Sequence, residues 1–381
     1  MKRGWQTKSF EDCIGKVTYS SKIQRKDFLD DGAYPIVSQE DAFINGYWDN
    51  EADLFKVTTP IVVFGDHTKV LKYVDFDFVL GADGVKVLQP REFLFPKFFF
   101  YQLQTANLDS LGYARHYRLL RELDIVYPDR AEQQRIVAIL DQAFEAISKA
   151  RANAEENLKS ARALFDSHLQ SVFTQRGEGW TEKPLSELCD IKHGFAFKSE
   201  FFTGEGDYVL LTPGNFYESG GYRDRGDKQK YYAGEIPRDY VLNEGDLLVA
   251  MTEQAAGLLG SPILVPESGK FLHNQRLGLV TKKAGLSWIN EFFFYVFNTH
   301  GVRKEIHDSA SGVKVRHTSP TKIGEVVVSF PTSITEQRAI VSTLENLSEE
   351  TQRLESLYRQ KLEALDELKQ SLLHQAFSGQ L

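Results

Sequence analysis

Residues 132–140 read EQQRIVAIL, from Glu132 to Leu140, and residues 336–344 read EQRAIVSTL, from Glu336 to Leu344. An offset of 204 residues superimposes them without a gap. Each follows a β-rich run ending in proline, LDIVYPDRAEQQ and EVVVSFPTSITEQ. Each opens a segment free of glycine and proline for about forty residues, long enough for an extended helix. The segments also end alike, with Leu169 and Phe173 before TQRG, and Leu373 and Phe377 before SGQL. Upstream, GWQTKSFEDC from Gly4 and GWTEKPLSELC from Gly179 mark two matching starts. The chain is therefore one frame written twice, globular–helix–globular–helix.

Spacings of three, four and their sums give each helix an apolar seam. In the first it runs Ile136, Leu140, Ala143, Ile147, Ala154, Leu158, Ala161, Phe165, Val172. In the second it runs Ile340, Leu344, Leu347, Thr351, Leu354, Tyr358, Leu362, Leu365, Leu372. Alanine is frequent on the first seam and leucine on the second, and small against large is how knobs fill holes. The two helices are thus expected to pair with each other. If antiparallel, they would hold two globular domains at opposite ends about a pseudo-twofold, spanning roughly 60 Å. The acidic starts suit helix N-termini, so Glu132-Gln133 and Glu336-Gln337 are read as caps, with partner contacts as the alternative.

The globular regions, residues 1–130 and 177–334, alternate with helices at 131–176 and 335–381. Their contents differ. The first has YPIVSQEDAFINGYWD and TTPIVVFGDHTKVLKYVDFDFVLGADGVKVLQP; the second has IKHGFAFKSEFF, YVLLTPGNFY, YVLNEGDLLVAMT and HNQRLGLV. Short β-rich runs broken by Asn45-Gly46, Gly65-Asp66 and Asp83-Gly84 imply strands and tight turns. One aromatic run in each, around Phe98-Phe99-Phe100 and Phe292-Phe293-Phe294, reads as core helix. The expected class is α+β, two α/β domains joined by two long antiparallel coiled-coil helices. The second region is longer by about thirty residues.

Composition narrows the chemistry. Net charge is −8, and no segment is basic overall; residues 177–334 carry 17 basic and 20 acidic groups. Any nucleic-acid surface must then come from local clusters. Two distant cysteines read as reduced thiols, too few for a cysteine zinc site. No apolar run reaches membrane-spanning length, and the polar start lacks a signal-like segment, so a cytoplasmic protein is expected. There is no phosphate loop, GxGxxG, GxSxG, HExxH or Asn/Asp-Pro-Pro-aromatic motif. Asp66, His67 and Asp83 could hold a metal, although tight turns favour these residues anyway.

These residues resemble the specificity (S) subunit of type I restriction–modification systems. The carriers are the two P…EQ…IV..L helix entries, the two long helices and the two dissimilar domains before them, with HNQRLG and SGVKVRHTSPTKI in the second. The likeness spans essentially the whole chain. It implies two target-recognition domains, each reading half of a bipartite double-stranded DNA site. It implies helices that set the spacing and dock two methyltransferase (M) subunits for adenine methylation, with restriction (R) subunits added for ATP-dependent cleavage. S-adenosylmethionine, ATP and magnesium would then belong to those partners, and this chain would be non-catalytic. Two other readings are a coiled-coil adaptor binding only proteins, and a nuclease of scattered carboxylates for which nothing nominates a site.

Phosphate contacts favour Lys, Arg and hydroxyls; base edges favour Arg for guanine and Asn or Gln for adenine. The first-domain candidates are Lys69, Lys86, Arg115, His116, Tyr117 and Arg118, with Asn45, Tyr47 and His67 from loops. The second-domain candidates are Lys192, His193, Lys198, Asn215, Asn274, Gln275, Arg276, Lys314, Arg316, His317, Thr318 and Ser319. Arg115-His116 and Lys314-Arg316-His317 stand out because an Arg-His pair recurs before each proline. Against this, such clusters could pair with acidic groups at the domain–helix junction, and HNQR could be a buried polar turn.

Overall fold

The computed structural model describes residues 4–82, 84–106, 108, 115–253 and 257–381. They form two compact units: residues 1–156 with 358–381, and residues 157–357. The long helices are α1 (Arg130–Thr174) and α2 (Ile334–Ser378), each 45 residues. They pack antiparallel. In the first unit, Arg135 donates to the Leu381 carbonyl at 3.0 Å and Arg151 pairs with Asp366. In the second, Arg162 meets Glu355 at 3.1 Å. Every seam position named above is buried or half-buried. Ala154 and Ala161 are among the most enclosed, as expected where small side chains let helices approach.

The helix entries are built differently from the sequence expectation. The caps lie upstream of the Glu-Gln pairs: the Glu132 N–H donates to Asp129 Oδ1 at 3.0 Å, and the Glu336 N–H to Ser333 Oγ at 3.4 Å. Glu132 instead grips Arg135 through both oxygens, and Glu336 Oε1 accepts the Trp180 indole N–H at 2.9 Å. The glutamines are fully buried. Gln133 Oε1 accepts the Phe95 N–H at 2.6 Å, and its Nε2 donates to the Phe93 and Pro128 carbonyls, each at 2.9 Å. Gln337 repeats this, accepting the Ile289 N–H at 3.1 Å and donating to the Pro331 carbonyl at 2.8 Å and the Ser287 carbonyl at 3.5 Å. One amide thus fastens the helix start to the preceding strand and to the loop leading into the aromatic helix.

In the first unit, Gln6–Ser9 pairs antiparallel with Asp124–Tyr127. An antiparallel sheet runs Ile14–Gly15, Val85–Pro90, Ile61–Gly65, Leu71–Val74. A further sheet carries Lys22–Ile23, Phe78–Gly81, Tyr34–Val37, Gly46–Trp48 and Leu54–Phe55, with parallel pairing on both sides of Phe78–Gly81. The aromatic helix Pro96–Leu103 buries Phe98 and Phe99, while Lys97 and Tyr101 bond Asp141 of α1. Leu373 and Ala376 of α2 complete this core.

The second unit repeats the frame. Trp180–Pro184 pairs antiparallel with Val327–Pro331, and a sheet runs Cys189–His193, Leu277–Lys282, Leu247–Ala250, Pro262–Leu264. Helix Asn290–Phe297 supplies Phe292, Phe293 and Phe297 to a core shared with Leu169, Val341 and Leu344. Strands of two to six residues, broken by turn signals, divide among several small sheets instead of one wide one. Both cysteines are free and buried, and burial pushes their thiols up to about 11 for Cys13 and about 12 for Cys189. They are protonated packing groups.

Gln133→Leu or Gln337→Leu leaves backbone groups unpartnered in an apolar junction. Each should lower stability by about 2–4 kcal/mol, measured as the urea midpoint of the full chain. A loss below about 0.5 kcal/mol, the range of ordinary surface changes, would show that the amide does not hold the junction.

Candidate nucleic-acid interface

Asp66 organises the candidate surface of the first domain. It follows strand Ile61–Gly65 and is buried. Its N–H donates to the Gly84 carbonyl, its carbonyl accepts the His116 N–H, and its Oδ1 accepts the Tyr117 N–H, all at 2.7 Å. Three distant stretches, 66–69, 84–86 and 115–118, therefore meet. Arg115 and Arg118 are exposed, and Lys86 lies 5.3 Å from the centre of the Tyr117 ring. Lys69, at φ 63°, sends its ammonium to the Leu108 carbonyl. His116 is buried, with Nδ1 3.0 Å from the Asp66 carbonyl, so it holds the cluster from within. Asp83 of the suggested metal set lies outside the described residues; the Asp66 carboxylate is a backbone staple. Among the described residues no group of three or more His, Cys, Asp and Glu could hold a metal ion.

Asn45 and Tyr47 belong to the neighbouring hairpin. Asn45 Oδ1 accepts the Ser38 N–H and the Lys72 ammonium, at 2.8 and 3.1 Å, and Tyr47 pairs through its backbone with Leu29. Burial pushes Lys72 down to about 8. The hairpin reaches the cluster through Gln39, whose Oε1 accepts the His67 N–H at 3.2 Å.

In the second domain a chain of backbone bonds gathers the candidates. The Met251 N–H donates to the Arg276 carbonyl and the Thr318 N–H to the Met251 carbonyl, both at 2.9 Å. The Phe195 N–H donates to the His273 carbonyl at 2.8 Å, and the Gln275 N–H to the Phe195 carbonyl at 3.0 Å. Stretches 192–198 and 273–276 thereby lie side by side, and Met251 bridges 273–276 to 314–319. Lys192, His193, Lys198, Gln275, Arg276, Lys314 and His317 are exposed. Lys192 lies 4.4 Å from the centre of the Tyr240 ring.

Four candidates are turned inward. Thr318 is buried, and Ser319 caps a short helix by accepting the Lys322 N–H. Asn274 is buried and accepts the Arg276 N–H at 3.1 Å. Asn215 is buried, accepting the Thr212 N–H at 3.0 Å and donating to the Arg223 carbonyl and Gln229 Oε1. The Asn215 and Asn274 amides and the Ser319 hydroxyl bond local backbone, and the Thr318 hydroxyl is buried with no hydrogen-bond partner. Arg316 is half-buried and bonds the His307 carbonyl at 2.5 Å, anchoring the 311–317 loop.

The recurring Arg-His pair is not an equivalence. A five-residue helix starts at Tyr117, one residue after His116, but at Pro320, three residues after His317. The first pair sits under Asp66; the second lies on a strand paired with Thr252–Glu253.

The sequence reading missed a cleft of about 830 Å³ in the second domain, where Arg223, Arg225 and Lys230 join Arg276. Their stretch, RDRGDKQK at 223–230, mixes both signs and reads as a solvated loop.

A family model for the type I restriction modification DNA specificity domain matches residues 2–156 and 177–364. The specificity subunit of the Escherichia coli type I restriction enzyme EcoBI is 25% identical over 224 residues, covering 58% of this chain and 43% of that subunit. That of Escherichia coli EcoR124I/EcoR124II is 27% identical over 180 residues, covering 44% and 43%. The match thus spans less than half the length of either relative. Two solved structures share the fold over the whole chain. One, from work on complex assembly and conformational transition of the type I R-M system, has a TM-score of 0.74 at 18% identity and is covered to 99%. The other, the HsdS subunit from Thermoanaerobacter tengcongensis, has a TM-score of 0.57 at 19% identity and is covered to 98%. Among the described residues no helix is long and apolar enough to cross a membrane.

His273 offers a pH test of the second-domain surface. It is fully buried, its Nε2 donates to the Leu277 carbonyl at 2.9 Å, and its Nδ1 has no partner. Burial pushes it down to about 4. The unfolded chain takes up a proton near 6.5 that the folded chain refuses until about 4. This stabilisation is fully present above 6.5 and is lost as pH falls towards 4, by roughly 3 kcal/mol in all. Melting temperatures between pH 7.5 and 5 should fall more steeply in the wild type than in His273→Gln. Parallel curves would refute this.

Proposed function

We propose, because this chain belongs to the type I restriction–modification DNA specificity family, that each of its two domains reads one half of a bipartite, asymmetric DNA site. The family is a non-catalytic one. The observation that carries the reading is the double match: one family model falls on both halves, while the loops mounted on the shared frame differ. Residues 1–130 and 177–334 are taken as the reading domains, and 131–176 and 335–381 as the spacer helices. The spacer helices set the distance between half-sites and dock two methyltransferase subunits that methylate adenine at N6. Restriction subunits then join for ATP-dependent cleavage. S-adenosylmethionine, ATP and magnesium are held by those partners, in the cytoplasm.

The exposed candidates suit this role. In the first domain Arg115 and Arg118 are exposed, with Lys86 half-buried beside the Tyr117 ring. In the second, Lys192 stands exposed on strand Cys189–His193, and Gln275, Arg276 and Lys314 stand exposed outside regular strands and helices. Phosphate contacts then set register and base contacts set sequence.

Co-expression with the cognate methyltransferase should add adenine methylation at one bipartite sequence, read by mapping genomic methylation with and without this gene. Unchanged methylation would overturn the reading in favour of a protein-only adaptor. Removing one heptad from each helix should shorten the unread spacer by about 10 Å, about three base pairs. A methylated site with its spacer unaltered would show that the helices are not the ruler.

A further inference from the structure

We propose that the cleft around Arg223 and Arg225 is a phosphate clamp, binding the backbone of duplex DNA by charge alone. The inference rests on the reading of the second domain as a DNA reader.

Charge carries the argument first. The domain has 17 basic and 20 acidic groups. Elsewhere on the chain cations meet acids, as in Arg121–Glu11 and Lys304–Asp308. Arg223, Arg225, Lys230 and Arg276 all face one cleft, and none has an ion-pair partner among the described residues. The two carboxylates in the lining do not neutralise them. Glu253 accepts the Leu258 and Leu259 N–H groups at 2.8 and 3.1 Å, and Glu218 adds one further charge. Asp224, between the arginines, turns back to the Gly226 N–H at 2.9 Å. Four cations against two anions leave a positive concavity in an acidic domain. Such a concavity concentrates anions.

Rigidity comes second. Asn215 and Gln229, both buried, bond each other at 3.0 Å and tie down both ends of the loop. Asn215 bonds the Arg223 carbonyl, and Gln229 Oε1 accepts the Arg225 N–H at 3.4 Å. The Arg225 guanidinium lies against Gly214, where an added Cβ would come within 2.8 Å of it. The Arg223 guanidinium lies 5.9 Å from the centre of the Tyr217 ring, and the Lys230 ammonium 5.5 Å from that of Phe202. Three of the four cations are thus braced by neighbouring groups before any ligand arrives. Asn215 and Gln229 are positioning residues.

The class of ligand follows from number and type. A base edge takes one bidentate arginine or amide. Mixed lysine and arginine, four to a cleft, match the repeated charge of a backbone.

The test uses the full chain with its methyltransferase partners, on a duplex carrying the mapped site and on one of random sequence. Arg223→Gln/Arg225→Gln should weaken both by a similar factor and flatten the slope of log Kd against log salt by about 2, near 0.9 per phosphate contact. Arg223→Lys/Arg225→Lys should keep the slope, since a phosphate accepts either cation. An unchanged slope in the glutamine variant overturns the clamp while leaving the domain a DNA reader. So does a loss confined to the specific duplex and not rescued by lysine, which would mean base reading. If wild-type complex prefers neither duplex and binds neither, the DNA reading itself falls, and the clamp with it.

Discussion

A buried primary amide has one acceptor and two donors, and in this chain all are used at one junction, twice. Gln133 and Gln337 each accept one backbone N–H and donate to two carbonyls. No apolar residue could satisfy those groups, and a charged one would be buried without a counter-ion. The amide sets where a helix of 45 residues starts and ties that start to the closing strand and aromatic helix of its own domain. The sheets, the loops mounted on them and the surfaces those loops present all depend on that fastening.

Above the junction, the same device recurs on a smaller scale. Asp66 staples three loops in the first domain, and Asn215 with Gln229 braces one in the second. In each case a buried polar side chain bonds backbone or another buried amide inside the domain, so that cations nearby sit on fixed backbone. This reconciles an acidic chain with the proposed role in binding a polyanion. Net charge is set by the whole surface, whereas attraction is set by where acids are absent.

Much of the frame was legible in the sequence, because helical periodicity and repetition are patterns of position. The doubled EQ…IV..L, the two seams and the aromatic core helices all follow from spacing. The candidate surface was legible only in part. Lys192, Gln275, Arg276 and Lys314 are exposed, but His116, Asn215, Asn274 and Thr318 face inward, since residue type does not report which way a polar side chain turns. Acidic residues at a helix start suggest caps, whereas the glutamines' actual partners lie up to fifty residues away and leave no local trace. The Arg-His echo is a likeness of letters, not of placement: the pair recurs, but its distance to the next helix does not. Arg223 and Arg225 were hidden by their own neighbours, for in RDRGDKQK the acids cancel the count without meeting the arginines in space.

The glutamine junction also sets terms for exchange. It asks of a domain only one backbone N–H and a carbonyl from the turn before its aromatic helix, and one more carbonyl from its closing strand. None of those groups belongs to a particular side chain. A foreign domain of unrelated loop sequence that returns those three atoms to the same place would be accepted by the same helix. Breakpoints falling between the closing strand and the glutamine would keep the fastening whole, so new specificities could be assembled by recombination without renegotiating the frame.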